Sequence, residues 1–264
     1  MKLEHRWSCE ELGLPAHATL RCLLALPTGD LALGSDYDML LWRRGQFLAF
    51  PFPEGARRES RRVESMAVFD GALHVATQRS VYLWPFRGVA MGRGHPGDGR
   101  EGFDELRALH AAGPRLLYGW RTHLEGGEGP PDAISFATGW EGRVFAGSAN
   151  GELWEVDGGL IRRFEARDRP QPVRQIAFYQ GQLWVGAAGE LHRWDGQRWR
   201  SEPGEPTAFV EADGRLYLLR DGGLWVADPE PRRLPEPLQW PWALGSTPGR
   251  LWIGCRGGLL CFLL

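Results

Sequence analysis

One fragment recurs seven times along the chain: GDLALGS (29–35), GALHVAT (71–77), GPRLLYG (113–119), GRVFAGS (142–148), GQLWVGA (181–187), GRLYLLR (214–220) and GRLWIGC (249–255). Each opens with Gly, and six of the seven place an aliphatic residue two positions later; the third, with Pro114, is shifted by one. Successive glycines lie 42, 42, 29, 39, 33 and 35 residues apart. That is the length of one small four-stranded sheet with its turns, so the chain is built from repeated units.

The flanks repeat as well. An apolar run precedes each Gly, as in SMAVFD, IAFYQ and PWALG, and most units continue into a further strand such as DMLLWRR, SVYLWPF, GELHRWD or GGLWVAD. WDGQRW and VDGGLIRRF add a hairpin in which Asp-Gly is expected to supply the positive φ of a two-residue turn. Each unit therefore reads as a four-stranded antiparallel meander. In GQLWVGA, Leu183 and Val185 face one way and Trp184 the other, so the sheet is apolar on both sides and must be stacked between two others.

Radial stacking of small sheets meets that demand and defines the β-propeller; a linear solenoid would have shorter, more regular periods. The expected fold is an all-β, seven-bladed propeller, with six blades as the alternative, in one domain of 264 residues. Blades are expected over 20–52, 63–88, 105–129, 132–165, 172–202, 206–235 and 240–264, the last completed by residues 2–8. Thirty-six Gly, nineteen Pro and thirteen Trp fit short strands, tight turns and large aromatics between sheets. The third blade is the least distinct, because its outer strands are hard to find in WRTHLEGGEGPP.

The last unit supplies only three strands, PWALGS, RLWIGC and GLLCFLL. KLEHRWS, at residues 2–8, alternates Leu3, His5 and Trp7 with polar neighbours, as an outer strand should. It is expected to pair antiparallel with residues 258–264, to close the ring and to cover an apolar edge. Cys9 would then lie near Cys255 or Cys261 as reduced thiols.

GRLWIGCRGGL resembles the propeller repeat in the sensor regions of two-component regulators, which reads L-W-I-G-T followed by a Gly-Gly-Leu turn; Cys255 stands where that repeat has Thr. GRVFAGSANGELWEVDGG is similar to the repeat of quinoprotein-like propellers. These resemblances imply a propeller used for binding. The regular tryptophan docking pattern of cofactor-bearing quinoproteins is not evident, and no cofactor is expected.

Catalytic and metal-binding patterns are sparse. Seven histidines show no HxxxH or His-x-His spacing, four cysteines show no CxxC pairing, and there is no G-x-S-x-G elbow, P-loop or dinucleotide fingerprint. MGRGHPGDGREG reads as a mobile insert between the second and third blades. A net charge of −2 does not support general nucleic-acid binding. The N-terminus lacks the apolar run of a secretory signal and no stretch approaches a membrane span, so the expected location is the cytoplasm.

What remains points to a protein or peptide partner. Arg57, Arg58, Arg61 and Arg62 in RRESRR form a cluster between the first two blades that could fork carboxylates or phosphates. Asp36 and Asp38 in GSDYD fall in a turn on the same face, where they read first as turn formers. Arg121 and Trp240 complete the candidate set, Trp240 reading equally as a binding aromatic on the surface or as a core residue, whereas Trp242 is expected in the core. A propeller lyase or hydrolase, or a small-ligand sensor, is the alternative.

Overall fold

The computed structural model describes residues 1–50, 62–77, 81–86, 92–94, 106–112, 115–120, 124–125, 134–140, 143–148, 152–157, 160–163, 173–227, 230–235 and 238–264. Among the described residues there is no helix. Among the same residues, strands form six four-stranded antiparallel sheets and one three-stranded sheet. In chain order the sheets span 20–49, 63–94, 106–125, 134–163, 173–203, 206–233 and 241–263. Strands within a sheet follow one another directly, and Lys2–Ser8 joins the seventh as its outermost strand, antiparallel to Gly258–Leu263.

The repeated Gly now has a physical reason. In the second, fifth and sixth units it is the second residue of the two-residue turn between the first and second strands: Asp70-Gly71 (φ 45° and 70°), Gln180-Gly181 (48° and 75°) and Asp213-Gly214 (48° and 69°). Two positive φ angles in succession match the twist of the flanking strands, and Gly adopts the second without strain. WDGQRW behaves differently from the two-residue turn expected of it. Trp194 pairs with Trp199, leaving a four-residue loop in which the Asp195 carboxylate accepts from the N–H groups of Gln197 (3.0 Å) and Arg198 (2.9 Å). Asp195 closes the loop with its side chain, so only Gly196 needs positive φ.

Small residues later in the repeat answer to sheet-on-sheet packing. A Cβ on Gly254 would sit 2.9 Å from the Leu20 Cβ, and one on Gly34 would sit 2.6 Å from the Val63 side chain. The second strand of one sheet is thus pressed against the first strand of the next. First strands also touch in sequence, Leu20–Ala25 against Val63–Phe69 and so on to Pro206–Ala212 against Pro241–Thr247, and Pro241–Thr247 packs on Leu20–Ala25.

The core lies between the sheets. Met39, Leu41 and Phe50 of the first sheet interleave with Met66, Leu73 and Tyr82 of the second. Leu183 and Val185 belong to one cluster and Trp184 to another, on the two faces of the fifth sheet. This arrangement is a β-propeller. Gly92–Gly94, within the stretch expected to be a connecting insert, pairs with Val81–Pro85 as the outer strand of the second sheet.

Residues 9–19 carry the chain from the N-terminal strand to the first sheet. Cys9, Leu12, Leu14 and Ala18 are buried together with Leu20, Leu33 and Trp252. Backbone hydrogen bonds from Cys9 to Gly257 (3.0 Å) and from Gly257 to Ala18 (2.9 Å) tie this crossing to the seventh sheet.

Candidate functional site: bulged residues on the upper face

In a meander, the start of the first strand and the turn between the second and third strands lie on the same side of every sheet; we call this the upper face. Each of the seven sheets has the same irregularity there. Leu20 pairs with Ser35 and Cys22 with Gly34, so Arg21 has no partner opposite it. The equivalent extra residues are Glu64, Arg107, Ser135, Arg174, Thr207 and Trp242. A β-bulge re-aims the side chain it carries and is favoured beside functional sites. Neighbouring positions in these strands are mostly apolar, whereas the bulges hold three Arg, a Glu, a Ser, a Thr and a Trp.

Three sheets bring their bulged side chains together. The Arg21 Nε donates to Asp36 Oδ1, and its Nη1 lies 3.6 Å from Glu64 Oε2. Arg62 Nε reaches Glu64 Oε1 at 2.6 Å. The Arg21 guanidinium also stands 6.0 Å from the centroid of the Trp242 ring, within cation–π range. A charge relay, Asp36–Arg21–Glu64–Arg62, therefore runs from the first sheet to the second, with an indole from the seventh beside it. Both carboxylates are held by guanidinium groups.

Trp242 is 54% exposed and Trp240 is 76% exposed. Trp242 is thus on the surface and not in the core: its position is the bulge, which turns the side chain off the alternation that would bury it. Trp240 is held with φ at 48°, an uncommon conformation for a bulky residue, and its carbonyl accepts from the Arg256 N–H at 3.0 Å. Arg256 is exposed and has no carboxylate partner among the described residues.

The remaining candidates separate. Ser35 organises the GSDYD turn: its Oγ donates to the Asp38 carbonyl (2.7 Å) and accepts from the N–H groups of Tyr37 (3.1 Å) and Asp38 (2.9 Å). The Asp38 carboxylate accepts from the Met39 N–H at 3.1 Å, so it acts within the turn while Asp36 turns toward Arg21. Asp38 also lines a cleft of about 590 Å³ with Glu11, Leu14, Tyr37 and Phe47, and the Tyr37 hydroxyl is hydrogen-bonded to His17. Arg57, Arg58, Arg61 and Arg121 lie outside the described residues. Among the described residues no group of His, Cys, Asp and Glu is arranged to hold a metal ion, and no helix is long and apolar enough to cross a membrane.

Apart from Trp242, which was expected in the core, the bulged residues Arg21, Glu64, Arg107, Ser135, Arg174 and Thr207 were not singled out from the sequence, although a signal was present. The bulge stands seven residues before the repeated Gly in five units, eight before it in the first and six in the third. A column at fixed offset that is polar or aromatic inside an apolar run is what marks it.

No protein-family model matches the chain, and no curated protein matches it by sequence. Solved structures do. The extracellular domain of a one-component-system protein from B. thetaiotaomicron superimposes with a TM-score of 0.77 at 14% identity, covering 99% of this chain and 40% of that one. The chain thus spans 40% of the length of that extracellular domain. A catalytically inactive virginiamycin B lyase from Staphylococcus aureus, solved with quinupristin, gives 0.77 at 10% identity over 98% of both chains. YCF48 bound to D1 peptide gives 0.74 at 12% identity, over 98% of this chain and 96% of that one. At these identities the likeness is one of fold, shared by propellers with different roles.

Proposed function

We propose that this protein is a non-catalytic propeller that holds a protein or peptide partner on its upper face. The observation that carries this reading is the pair of exposed tryptophans, Trp240 and Trp242, set beside the Arg21 relay and the exposed Arg256. Trp and Arg are enriched among the few residues that dominate the energy of protein interfaces. YCF48, similar in fold, was solved with a peptide.

In this reading the seven sheets are the blades of one ring and one domain, completed by Lys2–Ser8 in the seventh blade. The contact of the seventh sheet's first strand with that of the first supports closure. A reducing compartment, the cytoplasm, suits four cysteines that form no disulfide.

Affinity capture from the native cell, comparing the unaltered chain with a Trp240→Ala, Trp242→Ala double variant, tests the reading. A stoichiometric partner recovered with the first and lost with the second is expected. Equal recovery with both would show that the upper face is not the interface.

A further inference from the structure

Where the sixth and seventh sheets meet at their upper rim, a cleft of about 290 Å³ is lined by Arg6, Ser8, Gln239, Cys255, Arg256 and Leu260. We infer that it binds a small organic carboxylate, with the oxyanion taken by Arg6 and Arg256 and an apolar stem laid on Leu260 and Cys255. Neither Trp240 nor Trp242 lines it.

Strand register assembles the lining. Arg6 lies opposite Leu260, while Ser8 lies opposite Gly258, which in turn lies opposite Cys255. Residues opposite one another, and alternate residues along a strand, share a face of the sheet. That face looks toward the sixth sheet, since Cys255 and Leu260 pack in one cluster with Leu224 and Val226. Cys255 and Leu260 are each 6% exposed and form the floor, whereas Arg6, Arg256 and Gln239 are exposed around the opening. Burial raises the Cys255 thiol and the Arg6 guanidinium opposes that rise, so the charge of Arg6 is felt at the floor.

Two guanidinium groups on one small cleft repel each other, and neither has an ion-pair partner among the described residues. Glu11 is the one acid in the lining; its Oε2 accepts from the Ser8 N–H at 2.7 Å, and one positive charge is left over. Ser8 Oγ accepts from the Glu11 N–H at 3.2 Å, which leaves its hydroxyl hydrogen to donate. An oxyanion between the two arginines would relieve the repulsion and accept forked hydrogen bonds. Size argues for a stem on that anion. At ~30 Å³ for each water the cleft has room for about ten, and a bare inorganic ion would leave the apolar floor wet.

The test uses the full chain and a ligand-observed NMR titration with octanoate, octanamide and inorganic phosphate. Octanoate is expected to bind, and octanamide, which keeps the stem without the charge, to bind more weakly by about tenfold or more. Arg6→Met and Arg256→Met should each weaken octanoate by about tenfold, the worth of one charge-assisted hydrogen bond. Both side chains are exposed, so each variant should melt with the unaltered chain. The Trp240→Ala, Trp242→Ala double variant should bind octanoate as the unaltered chain does, which keeps this site distinguishable from the partner-binding face. Equal binding of octanoate and octanamide, or octanoate binding that survives both Arg variants, would overturn the inference. So would no binding of octanoate, tighter binding of phosphate, or loss of octanoate with the tryptophans.

Discussion

Arg250 holds Glu4 at two points across 246 residues of sequence: Nε to Oε2 at 2.8 Å and Nη2 to Oε1 at 3.1 Å. The two residues are not on adjacent strands. Gly258–Leu263 lies between them, and the Arg250 side chain reaches over it to the N-terminal strand, where Glu4 is itself a bulged residue between Leu3 and His5. Cys261 on the intervening strand also contacts Glu4, its Sγ 3.4 Å from Oε2. One carboxylate thus links all three outer strands of the seventh sheet.

This link makes stability depend on pH in a stated direction. The hydrogen bond from Arg250 draws the Glu4 carboxyl from the ordinary 4.5 down to about 2. A lowered carboxyl pKa contributes stability that is complete above 4.5 and is lost as pH falls toward 2. Glu4→Gln should therefore melt below the unaltered protein at neutral pH, and the two melting curves should converge as pH falls through that window. A constant difference would show that Glu4 acts through packing alone.

Deletion of residues 1–10 removes the outer strand and exposes the row of donors and acceptors on Gly258–Leu263. Cys9, fully buried beside Ala18, is lost with it. A lower melting temperature and concentration-dependent aggregation, followed by light scattering, are the expected result.

Gly254 sets the distance between the first and seventh sheets. With the Leu20 Cβ 2.9 Å and its carbonyl oxygen 3.2 Å from an added Cβ, even Gly254→Ala forces backbone apart. Overpacking of this kind costs about 1–3 kcal/mol, readable as a shift in the urea midpoint.

At Trp240 the backbone conformation and the side chain make opposite demands. Trp240→Gly relieves the positive φ and removes a ring that is 76% exposed, so the melting temperature should hold or rise while partner recovery falls. A loss of stability would mean that the indole packs on the fold.

The thiols should be inert in the native state. Burial pushes Cys22 and Cys261 up to about 12 and Cys255 up to about 11, the carboxylate of Glu4 adding to the effect at Cys261. Iodoacetamide at about pH 8 reacts with thiolates, so it should label none of these three until denaturant is added.

Repeat, turn and layer were legible in the sequence because each is a local demand. Gly at 71, 181 and 214 is required by a turn whose φ is positive, and Leu183, Trp184 and Val185 alternate because the strand presents two buried faces. The column of bulged residues was less legible. Trp242 looked like one more buried aromatic, since nothing in PWALG announces that the strand slips by one residue at that point.

By itself, then, the sequence determined the unit and its recurrence, because glycine turns and apolar alternation are decided within a few residues. Only the tertiary structure decided which residues meet: Arg21 with Glu64 and Trp242, Arg250 with Glu4. Those pairs depend on the register slip in each first strand and on which sheets become neighbours. Both are set by packing between elements tens to hundreds of residues apart, which no local pattern records.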